Sequence, residues 1–355
     1  MPGPERRVTV LIASPLEEEL ASRVAALDPA VELLYEPDLL PAARWVGDVS
    51  GEASFQRDEA QQGRFEKLLA RAEVLYGVPG KSGEGLAEAL RHGPGIRWVQ
   101  GRNAGAGEQV AAAARLAPTE VERVVVTTAA GVHAGPLAEF CLLGLLAFVK
   151  ELPRLERDQA ERRWPEHERP GRELRGGTLL LLGLGGVGRE IARLAQGFGM
   201  RVIGVRRDPS HEVPGVDELH APDDLPALAR RADHLAVTLP LTDATRHLVD
   251  AAVLDALPSD AVVVNVGRGA VVDEQALIER LSDGSLAGAA LDVFEREPLP
   301  RDSQLWALSN VILSPHDTAL VPAEPKRVMD LFLDNLRRYL DGEPLRNRVT
   351  LDGFY

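Results

Sequence analysis

The chain has 355 residues, 45% of them hydrophobic, and its 54 acidic and 40 basic residues leave a formal net charge of −14. This length accommodates two domains of ordinary size, and the acidic balance argues against a nucleic-acid or anionic-membrane partner. The single cysteine, Cys141, excludes an intramolecular disulfide framework and a multi-cysteine zinc site, and no metal site is expected.

The chain opens on MPGPERRVTVLIASPLEEEL, in which Arg6-Arg7 run into a strand and then a glutamate-rich helix. The long apolar region and small-residue cleavage site of a signal peptide are missing, so a cytoplasmic protein is expected. Strand-like runs at 8–13, 31–35, 72–77, 96–101 and 123–128 alternate with helical or loop stretches, the rhythm of a parallel sheet. Trp98 lies inside the fourth run and reads as core. The polar segment Gly47–Gly63 reads as a surface loop or short helix. TTAAGVHAGP (127–136), rich in small residues, places a join near residue 130. A long helix from about Pro136 to Leu152 follows. Its run AEFCLLGLLAFV is the most hydrophobic in the chain but too short to span a bilayer, and Cys141 within it reads as a buried, inert thiol.

A second strand series runs through 178–183, 201–205, 234–240, 261–267, 286–293 and 310–315. Its first member continues into LLLLGLGGVG (179–188) and then VGREIARLAQGFG, a buried strand, a glycine turn and a helix start. In that context Gly183-Leu184-Gly185-Gly186-Val187-Gly188 points to a dinucleotide. The first glycine makes the tight turn, the second lets backbone approach the pyrophosphate, and the third lets helix and strand pack closely. The expected fold is α/β, with two Rossmann-like or flavodoxin-like parallel-sheet domains and a cleft between them. Residues 1–130, completed by 318–355, should form a substrate-binding domain to which the final helix, roughly Pro325–Leu340, returns. Residues 131–317 should form the dinucleotide-binding domain.

Ligands of open α/β sheets bind outside the carboxyl ends of the strands. Three strands of the second series end in charged residues: AVVVNV in Gly267-Arg268-Gly269, AGAALDV in Phe294-Glu295-Arg296-Glu297-Pro298, and NVILS in Pro315-His316-Asp317. An arginine, a glutamate and a histidine beside a dinucleotide can run a hydride transfer on a 2-oxo acid. The guanidinium forks onto carboxylate and carbonyl, the histidine moves the carbonyl proton, and the carboxylate orients the histidine. At the end of the second strand, where an NAD site carries an acidic residue, the chain has Arg206-Arg207-Asp208. Paired guanidiniums suit a 2′-phosphate, so NADP(H) is favoured. Asp208 is the group through which NAD(H) would be used instead.

The motifs LLGLGGVGREIA, TLPLTDATRHLVD, VVNVGRGAVVDEQALIERL, LAGAALDVFEREPLP and NVILSPHDTA, in this order, resemble the D-2-hydroxyacid dehydrogenase family, relatives of glyoxylate/hydroxypyruvate reductases and phosphoglycerate dehydrogenases. The likeness covers nearly the whole chain and is loosest before residue 70. It implies that Arg268 orients the substrate, that Glu297 rather than Glu295 partners the histidine, and that His316 is the acid/base. It further implies that Asp292 binds the nicotinamide carboxamide and that Pro240, Thr245 and Val266 lie at the cofactor. Backbone at Val78-Pro79-Gly80 and Asn103-Ala104-Gly105 would hold the substrate carboxylate. His133, at the inter-domain hinge, would touch nicotinamide or substrate, or pack the hinge. The remaining histidines (His92, His167, His211, His220, His234 and His247) read as mostly surface residues. Trp164, in ERRWPEHERP, matches the family's dimer-contact region or packs within one subunit; a homodimer is expected. The expected activity is NAD(P)-dependent reduction of a small 2-oxo acid to a D-2-hydroxy acid. Two rivals on the same fold are a dinucleotide-sensing, corepressor-like protein and a phosphite dehydrogenase-like enzyme.

Overall fold

The computed structural model describes residues 7–166 and 171–349, so His167 lies outside the described residues. The chain divides into two compact units, residues 1–133 with 320–355, and residues 134–319.

The first unit holds β1 (Val8–Ile12), β2 (Val31–Leu34), β3 (Val74–Tyr76), β4 (Trp98–Gln100) and β5 (Val125–Thr127). They pair in parallel in the order β2-β1-β3-β4-β5. Parallel strands need crossovers, which here are the helices α1 (Glu18–Ala25), α2 (Glu59–Arg71), α3 (Gly83–His92), α4 (Ala106–Leu116) and α5 (Pro118–Glu122). Helix α2 starts late in the polar Gly47–Gly63 segment because Asp58 and Gln61 form a reciprocal capping box.

The second unit opens with α6 (Ala134–Val149) and α7 (Leu152–Ala160). The long helix expected over about Pro136–Leu152 is α6, and a second helix, not expected, follows it. Glu151 takes a left-handed backbone (φ 56°) and Pro153 lies two residues on, so the first helix ends and a second begins. The sheet comprises β6 (Thr178–Leu182), β7 (Arg201–Val205), β8 (Glu218–His220), β9 (His234–Val237), β10 (Val262–Asn265), β11 (Gly288–Leu291) and β12 (Val311–Leu313). The order β12-β11-β10-β9-β6-β7-β8 is parallel throughout and reverses direction between β6 and β9. That reversal is the switch point at which dinucleotides bind doubly wound sheets. Helices α8 (Gly186–Gly197), α9 (Leu225–Ala229), α10 (Ala251–Ala256) and α11 (Glu274–Ser282) connect these strands. Apolar helix α6 is buried against the sheet. A Cβ on Gly144 would overlap the Ala290 side chain, so glycine is what lets the helix lie this close. Cys141 is fully buried there, and burial pushes its thiol up to about 12, too high for a nucleophile.

Helix α12 (Glu324–Asp341) belongs to the first unit. Its Phe332 is fully buried, with ring centroids 4.7 Å from Tyr76 on β3 and 5.2 Å from Trp98 on β4. The Trp98 indole N–H donates to Thr127 Oγ1 at 2.8 Å, so the aromatic ring is buried with its one polar atom satisfied.

Candidate active site and dinucleotide site

Strand β6 ends at Leu182, and Gly183 turns the chain with φ 97°, a conformation that side chains resist. A Cβ on Gly183 would come within 2.7 Å of Thr238 Oγ1, and one on Gly188 would overlap the Gly183 carbonyl. Beside Gly185 there is nothing within 4 Å. Helix α8 begins at Gly186 and Val187, and no side chain caps its first N–H groups. The turn is therefore closed on its protein side, open at Gly185 and lined with unspent donors, which fits a pyrophosphate.

Beyond β7, the Arg206 N–H donates to the His220 carbonyl on β8 at 3.0 Å, which fixes where the Arg206 side chain leaves the sheet. Arg207 and Asp208 are exposed. Asp208 Oδ1 accepts the Ser210 N–H at 3.0 Å, and its bonds to Ser210 hold the carboxyl below its ordinary range. After β9, Thr245 Oγ1 donates to the Pro240 carbonyl at 2.7 Å and accepts the Thr242 N–H at 2.8 Å, knotting that turn. Val266 is buried just past β10.

Neighbouring strands β10, β11 and β12 deliver the ionisable groups. After β10, buried Asn265 accepts the Gly267 N–H at 3.0 Å and donates to the Arg268 carbonyl at 3.1 Å, shaping the turn that presents Arg268. Asn265 was not singled out in the sequence. Its signal was an amide closing an otherwise apolar strand, VVVN. A Cβ on Gly269 would overlap the Phe294 backbone, so the Arg268 turn can lie against the β11 loop only with glycine there. After β11, Asp292 is buried, and its Oδ1 accepts the Ser314 hydroxyl at 2.7 Å and the Thr318 N–H at 3.3 Å.

Glu297 and His316 meet: Glu297 Oε2 lies 2.7 Å from His316 Nδ1. The other oxygen, Oε1, accepts the Phe294 N–H at 3.1 Å. Glu295 is engaged elsewhere, 2.7 Å from His247 Nε2 and accepting the Glu274 N–H at 3.1 Å. His316 itself has φ 59°, a left-handed conformation that costs a non-glycine residue roughly 1–3 kcal/mol and clusters at functional sites. This pair presents Nε2 of a half-exposed imidazole at the same sheet edge as Arg268.

In the first unit, Val78, Pro79 and Gly80 follow β3, with Gly80 left-handed (φ 62°), and Asn103, Ala104 and Gly105 follow β4 and lead into α4. Both loops thus stand at the carboxyl ends of paired parallel strands. His133 Nε2 lies 2.8 Å from Glu324 Oε1 at the head of α12. Among the other histidines, His92 and His247 are exposed, His211 faces the Ser210 hydroxyl, and half-buried His220 pairs with Glu218 at 2.9 Å. His234 departs from the surface reading: it is 3% exposed, the first residue of β9, and its Nδ1 accepts the Val262 N–H at 3.2 Å. Burial, with Arg172 adding to it, lowers its pKa to about 4. The strand run read at 234–240 does include this residue; what the sequence does not show is that the first position of the strand is covered on both faces. Trp164 is 94% exposed. Among the described residues there is no cluster of His, Cys, Asp and Glu that could hold a metal ion, and no helix is long and apolar enough to cross a membrane.

Residues 142–317 match the family model described as D-isomer specific 2-hydroxyacid dehydrogenase, NAD binding domain. A glyoxylate reductase of Aeropyrum pernix is 37% identical over 238 residues, covering 64% of this chain and 70% of that protein. A D-3-phosphoglycerate dehydrogenase of Methanocaldococcus jannaschii is 33% identical over 228 residues, but the match spans only 43% of its length. A solved D-isomer specific 2-hydroxyacid dehydrogenase from Xanthobacter autotrophicus Py2, in complex with NADPH and MES, superposes over 97% of this chain and 98% of that one. The TM-score is 0.75 at 28% identity.

Proposed function

Because the chain belongs to the D-isomer specific 2-hydroxyacid dehydrogenase family, whose members are NAD(P)-dependent oxidoreductases, we propose that it reduces a small 2-oxo acid at the sheet edge carrying Arg268, Glu297 and His316. The observation that carries the reading is the 2.7 Å contact between His316 Nδ1 and Glu297 Oε2. A carboxylate on Nδ1 keeps a proton there and leaves Nε2 to face the substrate. The bound dinucleotide supplies the hydride. His316 delivers a proton from Nε2 to the carbonyl oxygen as the alcohol forms. Arg268 takes the substrate carboxylate and polarises the carbonyl by a two-pronged, charge-assisted contact. The loops Val78–Gly80 and Asn103–Gly105 are assigned to the substrate carboxylate through their backbone N–H groups, and Asp292 to the carboxamide of the nicotinamide. Residues 1–130 with 318–355 act as the substrate-binding domain and residues 131–317 as the dinucleotide-binding domain.

Arg206 and Arg207 favour NADP(H), since two guanidiniums at the end of β7 complement a 2′-phosphate. The solved relative bound to NADPH supports that preference. Trp164, with exposed Leu152 and Leu155 of α7, supports a homodimer contact, and the cytoplasm is the proposed location. Large apolar groups left in water commonly mark an interface. Light scattering on wild type and Trp164→Arg tests the dimer, with a monomeric wild type overturning it.

The activity is tested by following nicotinamide absorbance with NADPH and NADH in parallel, against 2-oxo acids from glyoxylate to phenylpyruvate. Oxidation of NADPH by one or a few acids is expected. Silence across the panel, with NADPH bound, would overturn the reading.

A further inference from the structure

The first unit contains a cavity of about 340 Å³ at the carboxyl ends of β1 and β2, walled by Pro15, Leu16, Tyr35, Leu40 and Pro41. In a sheet of order β2-β1-β3-β4-β5, the reversal between β1 and β3 is where ligands lodge. The cavity is large enough for a small metabolite. Most of its wall is apolar. The exception in depth is Arg102, just past β4, which is 5% exposed. Its Nη1 contacts Ser14 Oγ at 3.2 Å and the Pro15 carbonyl. Arg102 also lines a second, small cavity with Val78, Lys81 and Asn103, and so stands between the larger cavity and the loops assigned above to the substrate carboxylate.

Arg102 has no carboxylate partner among the described residues, only neutral ones, and its Nε is buried without a hydrogen-bond partner. The fully buried Tyr76 hydroxyl, whose ring lies 5.5 Å from the guanidinium, also lacks one. The carboxylates that bear on this hydroxyl are Glu17, which lines the same cavity but is exposed to water, and Glu324, which is paired with His133. Asp48, on the same cavity wall, is saturated by Arg44 and by the Ser50 and Gly51 N–H groups. A guanidinium taken out of water with no counter-charge is strongly disfavoured unless an anion completes it.

We propose that this cavity receives the far end of the substrate and that Arg102 binds a second carboxylate there, so that the preferred substrates are 2-oxo dicarboxylic acids of four or five carbons. The inference rests on the proposed 2-oxo acid reading and adds the substrate's chemical class. The apolar wall accepts the methylene chain, and the guanidinium of Arg102, which has no counter-charge, binds the terminal carboxylate. Arg102 is then the specificity-determining residue, separate from the groups that move proton and hydride.

The test is calorimetric binding to the full chain saturated with NADP⁺, comparing 2-oxoglutarate with 5-methyl-2-oxohexanoate, which has an isopropyl group in place of the distal carboxylate. A charge-assisted contact to a buried cation predicts that the dicarboxylate binds at least about tenfold more tightly. Arg102→Met should erase that ratio, and Arg102→Lys should keep part of it. If the methionine variant does not fold, Ala42→Phe narrows the cavity from its rim without touching Arg102 and should weaken both ligands. Equal affinities in the unaltered protein, or tighter binding of the methyl-capped acid, would overturn the inference and mean that water alone serves these buried groups. Selective binding of the dicarboxylate with no NADPH oxidation would uphold Arg102 as a carboxylate site and overturn the reductase reading, and with it the dicarboxylates' role as substrates. Glyoxylate reduction without dicarboxylate selectivity would do the reverse.

Discussion

His316 Nδ1 and Glu297 Oε2 lie 2.7 Å apart, and the second oxygen of Glu297 is held at 3.1 Å by the Phe294 N–H. The carboxylate therefore has little freedom to turn away, and it holds the imidazole of a residue whose backbone is already forced into the left-handed region at φ 59°. Glu295, on the same loop, pairs instead with His247 Nε2 at 2.7 Å, which leaves Glu297 as the carboxylate on His316. His316→Gln should lower kcat for 2-oxo acid reduction by about 10²–10⁴, the usual worth of a positioned acid, while NADPH affinity stays nearly unchanged. Glu297→Gln should lose a smaller part of that, because an amide can present N–H to Nδ1 and hold the wrong tautomer. Near-normal kcat in both variants would remove these residues from the mechanism.

On the proposed reading, Arg206 decides the nucleotide. Its backbone is tied to β8 through the His220 carbonyl, so a substitution changes the side chain without moving the turn. Arg206→Asp should raise KM for NADPH roughly 10- to 100-fold, the equivalent of losing a charge-assisted contact, and should improve NADH. Asp208 already supplies one ionised carboxylate in this loop, but Ser210 occupies it. Unchanged KM values for both nucleotides would place the 2′-phosphate elsewhere.

Much of this was legible in the chain. Buried parallel strands are continuous apolar runs, and VTVLI, TLLLL and AVVVNV announce themselves by that pattern. The glycine turn could be read because each glycine answers a distinct steric demand, seen where a Cβ on Gly188 would overlap the Gly183 carbonyl. Strand β8 was missed: Glu218–His220 is a short, half-buried edge strand, whose polar residues look like loop. Asn265 was passed over because its work is to shape backbone around Arg268, which one strand-ending amide does not reveal. The burial of His234 and the cavity beside Arg102 depend on which strands become neighbours. Local sequence does not carry that.

Phe332 anchors α12 in the first unit. Its ring is fully buried between Tyr76 and Trp98, and the helix arrives from nearly 200 residues beyond the preceding elements of that unit. Phe332→Ala should cost about 3–5 kcal/mol, the range for large core truncations. For a unit of this size that lowers the thermal midpoint by roughly 6–20 °C. Differential scanning calorimetry checks it, and a shift under about 2 °C would mean that α12 contributes little to the unit.

His234 gives the protein an acid-labile point far from the sheet edge where chemistry is proposed. Burial, assisted by Arg172, holds its folded pKa at about 4 against the ordinary 6.5. The unfolded chain therefore takes up this proton first, and stability falls as pH drops from about 6.5 to about 4, levelling out below. At about 1.4 kcal/mol per pH unit, the full penalty is roughly 3–4 kcal/mol. His234→Asn keeps an acceptor where Nδ1 meets the Val262 N–H but cannot titrate. The variant should be somewhat less stable at pH 7, through its smaller side chain, yet lose less stability than wild type between pH 7 and pH 4.5. Urea unfolding at both pH values measures the difference and cancels the carboxylates common to the two proteins. Parallel losses in wild type and variant would show that the imidazole is already charged, or exposed, in the folded state.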